Sequence, residues 1–194
     1  MKIVLDALGG DFAPVETVKG AVQAAAQYAH CEIILVGDEQ ALKAELSKYG
    51  KHKNISIVHA ADNIEMKEHP LQAIRSKKNC SINVGLRLVR EGKADSFVSA
   101  GNTGAVMASA LFTLGRVKGV ERPALATVFP TKKDNCVIVD VGANSECRPN
   151  HLVQFAQMGR LYAQLVLGKL DPTVRLLSIG EEDEKGNELT VATN

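Results

Sequence analysis

Residues 2–29 read KIVLDALGGDFAPVETVKGAVQAAAQYA, and this stretch sets the fold class. It opens on a short, continuously apolar run, Lys2–Asp6, of the kind that forms a buried strand. A polar turn with two glycines follows, DALGGD at 6–11. After Pro14, a favoured first-turn residue, Val15, Val18, Val22, Ala25, Ala26 and Ala29 fall at helical spacing. Strand, glycine turn and helix make one βα unit. Further β-rich runs recur at 32–36 (EIILV), 55–59 (ISIVH), 96–99 (SFVS), 124–129 (ALATVF), 136–140 (CVIVD) and 174–179 (VRLLSI). Most are apolar throughout rather than alternating, which suits a sheet covered on both faces. Helical patterns lie between them. Leu42, Leu46 and Tyr49 mark one. Ile82, Leu86 and Val89 mark another, with Asn79 or Ser81 as its cap and Gly92 as its stop. Residues 103–115 are apolar almost all round, which predicts a deeply buried helix. Leu152, Phe155, Ala156, Gly159, Tyr162 and Val166 predict a long helix after Asn150. One connection breaks the alternation. PTKKDN at 130–135 is too short for a crossover helix, so the runs on either side of it are expected to be antiparallel. The expected fold class is α/β with a mixed, mostly parallel sheet.

The 194 residues are near the size of one domain, and 45% apolar with 23% charged residues is an ordinary globular composition. Lys plus Arg (23) nearly cancels Asp plus Glu (22), so the net charge of +1 gives no global reason to expect nucleic acid or an anionic membrane surface. Local charge is less even. Between 75 and 93, Arg75, Lys77, Lys78, Arg87, Arg90 and Lys93 stand against Glu91 alone, and 181–184 reads EEDE. The four cysteines (Cys31, Cys80, Cys136, Cys147) form no CxxC, and a reduced cytoplasmic setting is the expectation. The first residues, MKIVLD, do not read as a signal peptide. The uncharged window 96–115 has only 11 apolar residues in 20, a poor bilayer span. At the other end, the run 174–179, a turn and a helix start at Asn187 form a βα unit without its return strand. Such an ending reads as a fragment, or as a domain whose partner half is absent.

In open α/β sheets, ligands bind beyond the carboxyl ends of parallel strands. Four strand ends carry polar, glycine-containing turns: 6–11 (DALGGD), 99–104 (SAGNTG), 140–144 (DVGAN) and 180–186 (GEEDEKG). Glycine lets backbone amides approach a ligand, and amides at a helix start attract anions. SAGNTG reads as a phosphate or oxyanion cradle, or as a tight turn with a capped helix. It is neither the P-loop nor the dinucleotide fingerprint. Asp6 and Asp140, each at a strand end, can orient a ligand hydroxyl, a lysine or a metal, or cap a turn. Asn144 reads as an oxyanion donor or a turn stabiliser. Lys185 reads as a contact to an anionic substrate or a solvated loop lysine, and the acidic run before it as a solvated helix N-terminus. The basic stretch around Arg75, Lys77 and Lys78 could receive an acidic protein or a phosphate ester, or form a solvated helix face. With few aromatics nearby, single-stranded nucleic acid finds weak support. Cys147 and His151 read as a small buried cysteine and a surface histidine rather than a nucleophile and its base. The other histidines form no metal-ligand pattern.

Six motifs together carry a closer resemblance: DALGGDFAP at 6–14, SAGNTGA at 99–105, ERPALATVFP at 121–130, DVGANSECRP at 140–149, LVQFAQMG at 152–159 and SIGEEDEKG at 178–186. In this order, across the whole chain, they resemble the bacterial phosphate acyltransferase (PlsX) family. Leu8 stands where that family often has Met, an apolar exchange of similar size. The resemblance implies transfer of a fatty acyl group from acyl carrier protein to inorganic phosphate. The product is an acyl phosphate for phospholipid biosynthesis, and no metal or organic cofactor is implied. It also implies a three-layer α/β/α sandwich like that of the isocitrate and isopropylmalate dehydrogenases. The resemblance further implies that residues 1–194 are a single α/β domain, the incomplete N-terminal portion of a longer chain. The implied assembly is a homodimer, cytoplasmic or peripheral at the inner face of the membrane through a region beyond Asn194.

Direct attack of a phosphate oxygen on a thioester carbonyl needs phosphate held against the carbonyl and a stabilised oxyanion, and no serine triad. The expected catalytic residues are Lys185 (charge neutralisation), Asn144 (oxyanion or phosphate contact) and Asn102. Those expected to bind substrate are Asp6, Gly9, Gly10, Asp11, Gly101, Thr103, Gly104, Asp140 and Gly142. Arg75, Lys77 and Lys78 are expected to dock the acidic carrier. Two readings compete. One is an ATP-dependent phosphotransferase of acetate kinase-like type, whose phosphate loops DALGGD and DVGAN loosely resemble. The other is a non-enzymatic ligand-binding α/β module.

Overall fold

The computed structural model describes residues 1–180, 182 and 185–194. The chain divides into two compact units, Met1–Gly115 and Arg116–Asn194.

The first unit is built in chain order from β1 (Lys2–Asp6), α1 (Val15–Gln27), β2 (Glu32–Gly37), α2 (Glu39–Ser47), β3 (Ile55–His59), α3 (Pro70–Ser76), α4 (Ser81–Arg90), β4 (Ser96–Val98) and α5 (Thr103–Thr113). Its four strands are all parallel, in the order β3-β2-β1-β4. The continuously apolar strands are explained by their two covered faces. Ile33, Leu35 and Ala7 bury against Val18, Ala21 and Ala25 of α1 and Leu42 of α2. Val4 and Val36 point the other way, against Val84 of α4. Helices thus cover both faces of the sheet, giving the three-layer α/β/α arrangement. Gly85 lets α4 lie close on the sheet: a Cβ there would meet Val4 Cγ1 at 3.1 Å and the Phe97 ring. Beyond α4, residues Ile74, Ile82, Leu86, Ala105 and Ala108 form a further cluster that binds α3, α4 and α5 together.

The sequence pattern did not mark α3. Pro70 opens it at the first helical position, and only Ala73 and Ile74 are buried, too few to show a period. The start of α4 is capped at Cys80 rather than at Asn79 or Ser81, and Gly92 (φ +67°) does follow its end. The expectation that α5 is deeply buried does not hold. Ala105, Ala108 and Ser109 are buried, but Phe112 is 60% exposed, because α5 packs by one side only.

The second unit holds β5 (Ala126–Pro130), β6 (Asn135–Val139), α6 (Pro149–Leu165) and α7 (Glu188–Thr193). β5 and β6 are antiparallel, as their short connection required, and form a two-stranded ladder of their own. Gly159 brings α6 close to this ladder, with Val139 Cγ2 at 3.4 Å from where its Cβ would be. Asn187 caps α7, accepting from Thr190 N. The run 174–179 is not a strand. No strand among the described residues pairs with it, and Leu177 is 86% exposed.

Candidate active site

In the first unit the chain goes outward from β1 through β2 to β3, then returns to place β4 on the other side of β1. This reversal opens a crevice beyond the carboxyl ends of β1 and β4, where ligands of such sheets bind. DALGGD and SAGNTG both lie there. Asp6 is 1% exposed at the end of β1. Its Oδ2 accepts from Ser99 Oγ at 2.7 Å, and its Oδ1 accepts from Leu8 N at 3.3 Å. Ser99 Oγ in turn accepts from Gly101 N at 3.0 Å. A relay of amide, hydroxyl and carboxylate therefore ties the two turns together. The two backbones nearly touch: a Cβ on Gly9 would sit 2.5 Å from Asp6 Oδ2 and 2.9 Å from Gly101 N. Gly10 has φ +105°, a conformation that favours glycine. Asp11 is exposed on the same turn.

Asn102 caps α5. Its Oδ1 accepts from Ala105 N at 3.0 Å. Its Nδ2 faces the carbonyls of Glu68, Met66 and Glu65 at 3.1, 3.2 and 3.4 Å. At 7% exposure, this side chain clasps the irregular stretch 61–69 to the start of α5. Thr103 is exposed at the first position of the helix, and Gly104 follows it, pressed against Pro70. Among the described residues nothing accepts from the amides of Thr103 or Gly104, the first-turn donors that a helix leaves open. Asp6, Gly9, Gly10, Gly101, Asn102, Thr103 and Gly104 are thus gathered in one crevice. Ser99, which links the halves of the crevice, was not singled out from the sequence, although it stands first in SAGNTG.

The expected docking cations differ in their surroundings. Lys77 Nζ donates to Glu68 Oε1 at 2.6 Å and to Asn63 O at 2.8 Å, so it braces the stretch 61–69. The Lys77 ammonium bonded to Glu68, helped by the Glu65 amide, lowers the Glu68 pKa below the usual carboxylate range. Arg75 is exposed with its guanidinium 5.9 Å from the centre of the Phe112 ring, and Lys78 is exposed.

In the second unit the DVGAN turn closes on Asp140. Oδ1 accepts from Leu125 N (2.8 Å) and Ala143 N (3.1 Å), and Oδ2 from Asn144 N (2.8 Å) and Asn144 Nδ2 (3.0 Å). Burial pushes the Asp140 carboxyl up, but these four hydrogen bonds together hold it below its ordinary value. Asn144 Nδ2 also donates to Pro123 O at 2.9 Å, which engages both of its protons. Gly142 takes φ +125° within the turn. His151 is not the surface histidine expected. It is 4% exposed at the start of α6, with Nδ1 accepting from Arg148 N and Nε2 3.1 Å from Glu121 Oε2. Those partners put its proton on Nε2. Lys185 is exposed, its amide donating to Glu182 O and its carbonyl accepting from Ser178 Oγ. Glu181, Asp183 and Glu184, most of the acidic run, lie outside the described residues.

The sequence profile of the fatty acid synthesis protein family matches residues 1–194. The chain belongs to this family. Among its relatives, the phosphate acyltransferase of Pelotomaculum thermopropionicum is 56% identical over 192 residues, covering 99% of this chain and 56% of that protein. The phosphate acyltransferase of Desulforamulus reducens is 55% identical, covering 100% and 58%. That of Herpetosiphon aurantiacus is 52% identical, covering 100% and 53%. This member of the fatty acid synthesis protein family therefore spans little more than half the length of these relatives. Its fold is similar to the EutD phosphotransacetylase from Staphylococcus aureus, with a TM-score of 0.60 and 24% identity over 87% of this chain and 54% of that one. Among the described residues of this family member, no three His, Cys, Asp or Glu side chains group as metal ligands. No helix there is long and apolar enough to cross a membrane.

Proposed function

We propose that this chain is the phosphate-holding portion of an enzyme that transfers a fatty acyl group from acyl carrier protein to inorganic phosphate. The observation that carries the reading is the 56% identity, along 99% of the chain, to a protein named phosphate acyltransferase. The crevice beyond β1 and β4 supports it chemically. The open amides of Thr103 and Gly104 at the positive end of α5 suit an anion. Hydrogen phosphate attacks the thioester carbonyl carbon through oxygen. The new C–O bond forms, the C–S bond breaks, and the proton leaving phosphate ends on the carrier thiol. In this reading Asp6, Ser99 and Asn102 position the two turns, while Gly9, Gly10 and Gly101 allow their close approach. Within the second unit, Asp140 and Asn144 shape the DVGAN turn, and Lys185 neutralises charge on the substrate. Homodimer assembly, a cytoplasmic setting and contact with the inner face of a membrane belong to the same proposal.

The test uses protein of the relatives' full length, with long-chain acyl carrier protein and phosphate and without ATP. Free thiol and hydroxylamine-sensitive acyl phosphate should appear in equal amounts and in proportion to phosphate. A product that forms only with ATP would favour the phosphotransferase instead, and no product would reject the reading. For carrier docking, Arg75 and Lys78 are the exposed cations of the 75–78 cluster, and neither forms a salt bridge among the described residues. Reversing both to Glu should raise the KM for acyl carrier protein about 5- to 50-fold at low salt, with less effect at high salt. An unchanged KM and salt dependence would reject the docking surface.

A further inference from the structure

Among the described residues, Ser81 Oγ is the one buried side-chain oxygen or nitrogen without a hydrogen-bond partner, and Ser81 is fully buried. A buried hydroxyl left unpaired is unfavourable, and native structures hold few of them. Its place in the fold supplies a reason. Helix α4 runs back from the carboxyl edge of the sheet to the amino edge, where Asp95 is bonded to Lys2 at the start of β1. Along the way, Gly85 faces Val4 of β1. From Gly85 to Ser81 is four residues, about 6 Å along a helix. From Val4 to Asp6 is two residues, about 6.6 Å along a strand. Ser81 therefore stands level with Asp6, at the height of the crevice. Its neighbour Cys80 registers that proximity: burial pushes the thiol up, and the negative charge of Asp6 adds to the shift. The stretch 61–69 links the two helix starts as well. Asp62 O accepts from Ser81 N at 3.1 Å, and the carbonyls of Glu65, Met66 and Glu68 face Asn102 Nδ2 at the cap of α5.

We propose that Ser81 is a substrate-contacting residue, whose hydroxyl donates to a phosphate oxygen held in the crevice between β1 and β4. The proposal rests on the phosphate-acyltransferase reading of that crevice. A phosphate dianion needs several donors at once, and two kinds stand without an acceptor among the described residues: the amides opening α5 and this hydroxyl. The carboxylate of Asp6 already accepts from Ser99 and Leu8. Phosphate reaches Ser81 when residues 61–69 shift off the start of α4, where Asp62 is held by two backbone bonds of 3.1 and 3.4 Å.

The experiment compares full-length wild type with Ser81→Ala and Ser81→Cys. Removing an unpaired buried hydroxyl should leave Tm without phosphate unchanged or higher. The KM for phosphate should rise about 10-fold or more in Ser81→Ala, with the KM for acyl carrier protein within twofold. Ser81→Cys, which keeps a weak donor of similar shape, should fall between. The upward shift of Tm that phosphate gives the wild type should shrink in the same order. An unchanged phosphate KM in both variants, or a Tm lowered without phosphate, overturns the role of Ser81 while wild-type turnover upholds the function. Should the wild type form no acyl phosphate, the function fails instead. The phosphate-dependent Tm shifts then decide by themselves whether Ser81 contacts the anion.

Discussion

Gly9→Ala should lower turnover about 100-fold and reduce Tm by roughly 2–12 °C. The added methyl group would lie 2.5 Å from Asp6 Oδ2 and 2.9 Å from Gly101 N. Neither neighbour is the far end of a flexible side chain. Asp6 is held by Ser99 and Leu8, and Gly101 N is backbone already bonded to Ser99. The turns after β1 and β4 must separate. Overpacking of this kind costs about 1–3 kcal/mol. In a protein near this size each kcal/mol moves Tm by about 2–4 °C. On the function proposed above, the catalytic loss follows from misplacement, since about 1 Å at a reacting centre can cost about 100-fold. Gly20→Ala is the control. It meets nothing within 4 Å in the helix α1. It should leave activity unchanged and stabilise by roughly 0.5–1 kcal/mol, the ordinary gain of Ala over Gly in a helix. Thermal melts and steady-state rates of both variants decide the point, and an active, stable Gly9→Ala protein would contradict the packing described.

Asp140→Ala should destabilise by about 2–4 kcal/mol, because Leu125 N, Ala143 N and Asn144 N lose their acceptor and Asn144 Nδ2 loses one of its two. Urea unfolding measures it. The same carboxylate gives a pH signature. Burial raises its pKa, but the four bonds outweigh burial and leave the folded value below the ordinary one. The unfolded state therefore binds a proton first as the pH falls. The stability that Asp140 contributes is fully present above its unfolded pKa of about 3.9. It is lost as the pH drops through the lower folded value. Asp140→Asn cannot titrate there, so its stability should fall less steeply over that acid range than the wild type's. Parallel acid profiles for the two proteins would refute the assignment.

Much of this architecture is legible in the amino-acid order, for physical reasons. The runs KIVLD and EIILV announce a sheet covered on both faces, because each alternate residue meets a helix: Leu35 on the side of α1, Val36 on the side of α4. PTKKDN announced antiparallel pairing because six residues leave few ways to return. What could not be read depends on distant partners. Asn102 looks like a ligand donor in SAGNTG, yet its amide faces carbonyls 34 to 37 residues earlier. Lys77 looks like a surface charge, yet it braces Glu68 and Asn63. His151 is buried against Glu121, 30 residues away. The run VRLLSI has strand composition, but a strand exists only when another strand pairs with it.

The two acidic turns differ in how far apart in the chain their partners lie. Asp140 finds Asn144 four residues on, so that turn can close as soon as its own segment exists. Asp6 finds Ser99 across 93 residues. Every strand of the first sheet has been synthesised before that contact can form, and the closure entropy of the intervening chain opposes it. A chain emerging from the ribosome therefore lacks this crevice until SAGNTG has been made. The crevice is a late feature in the life of the polypeptide, acquired only once the first unit is nearly whole.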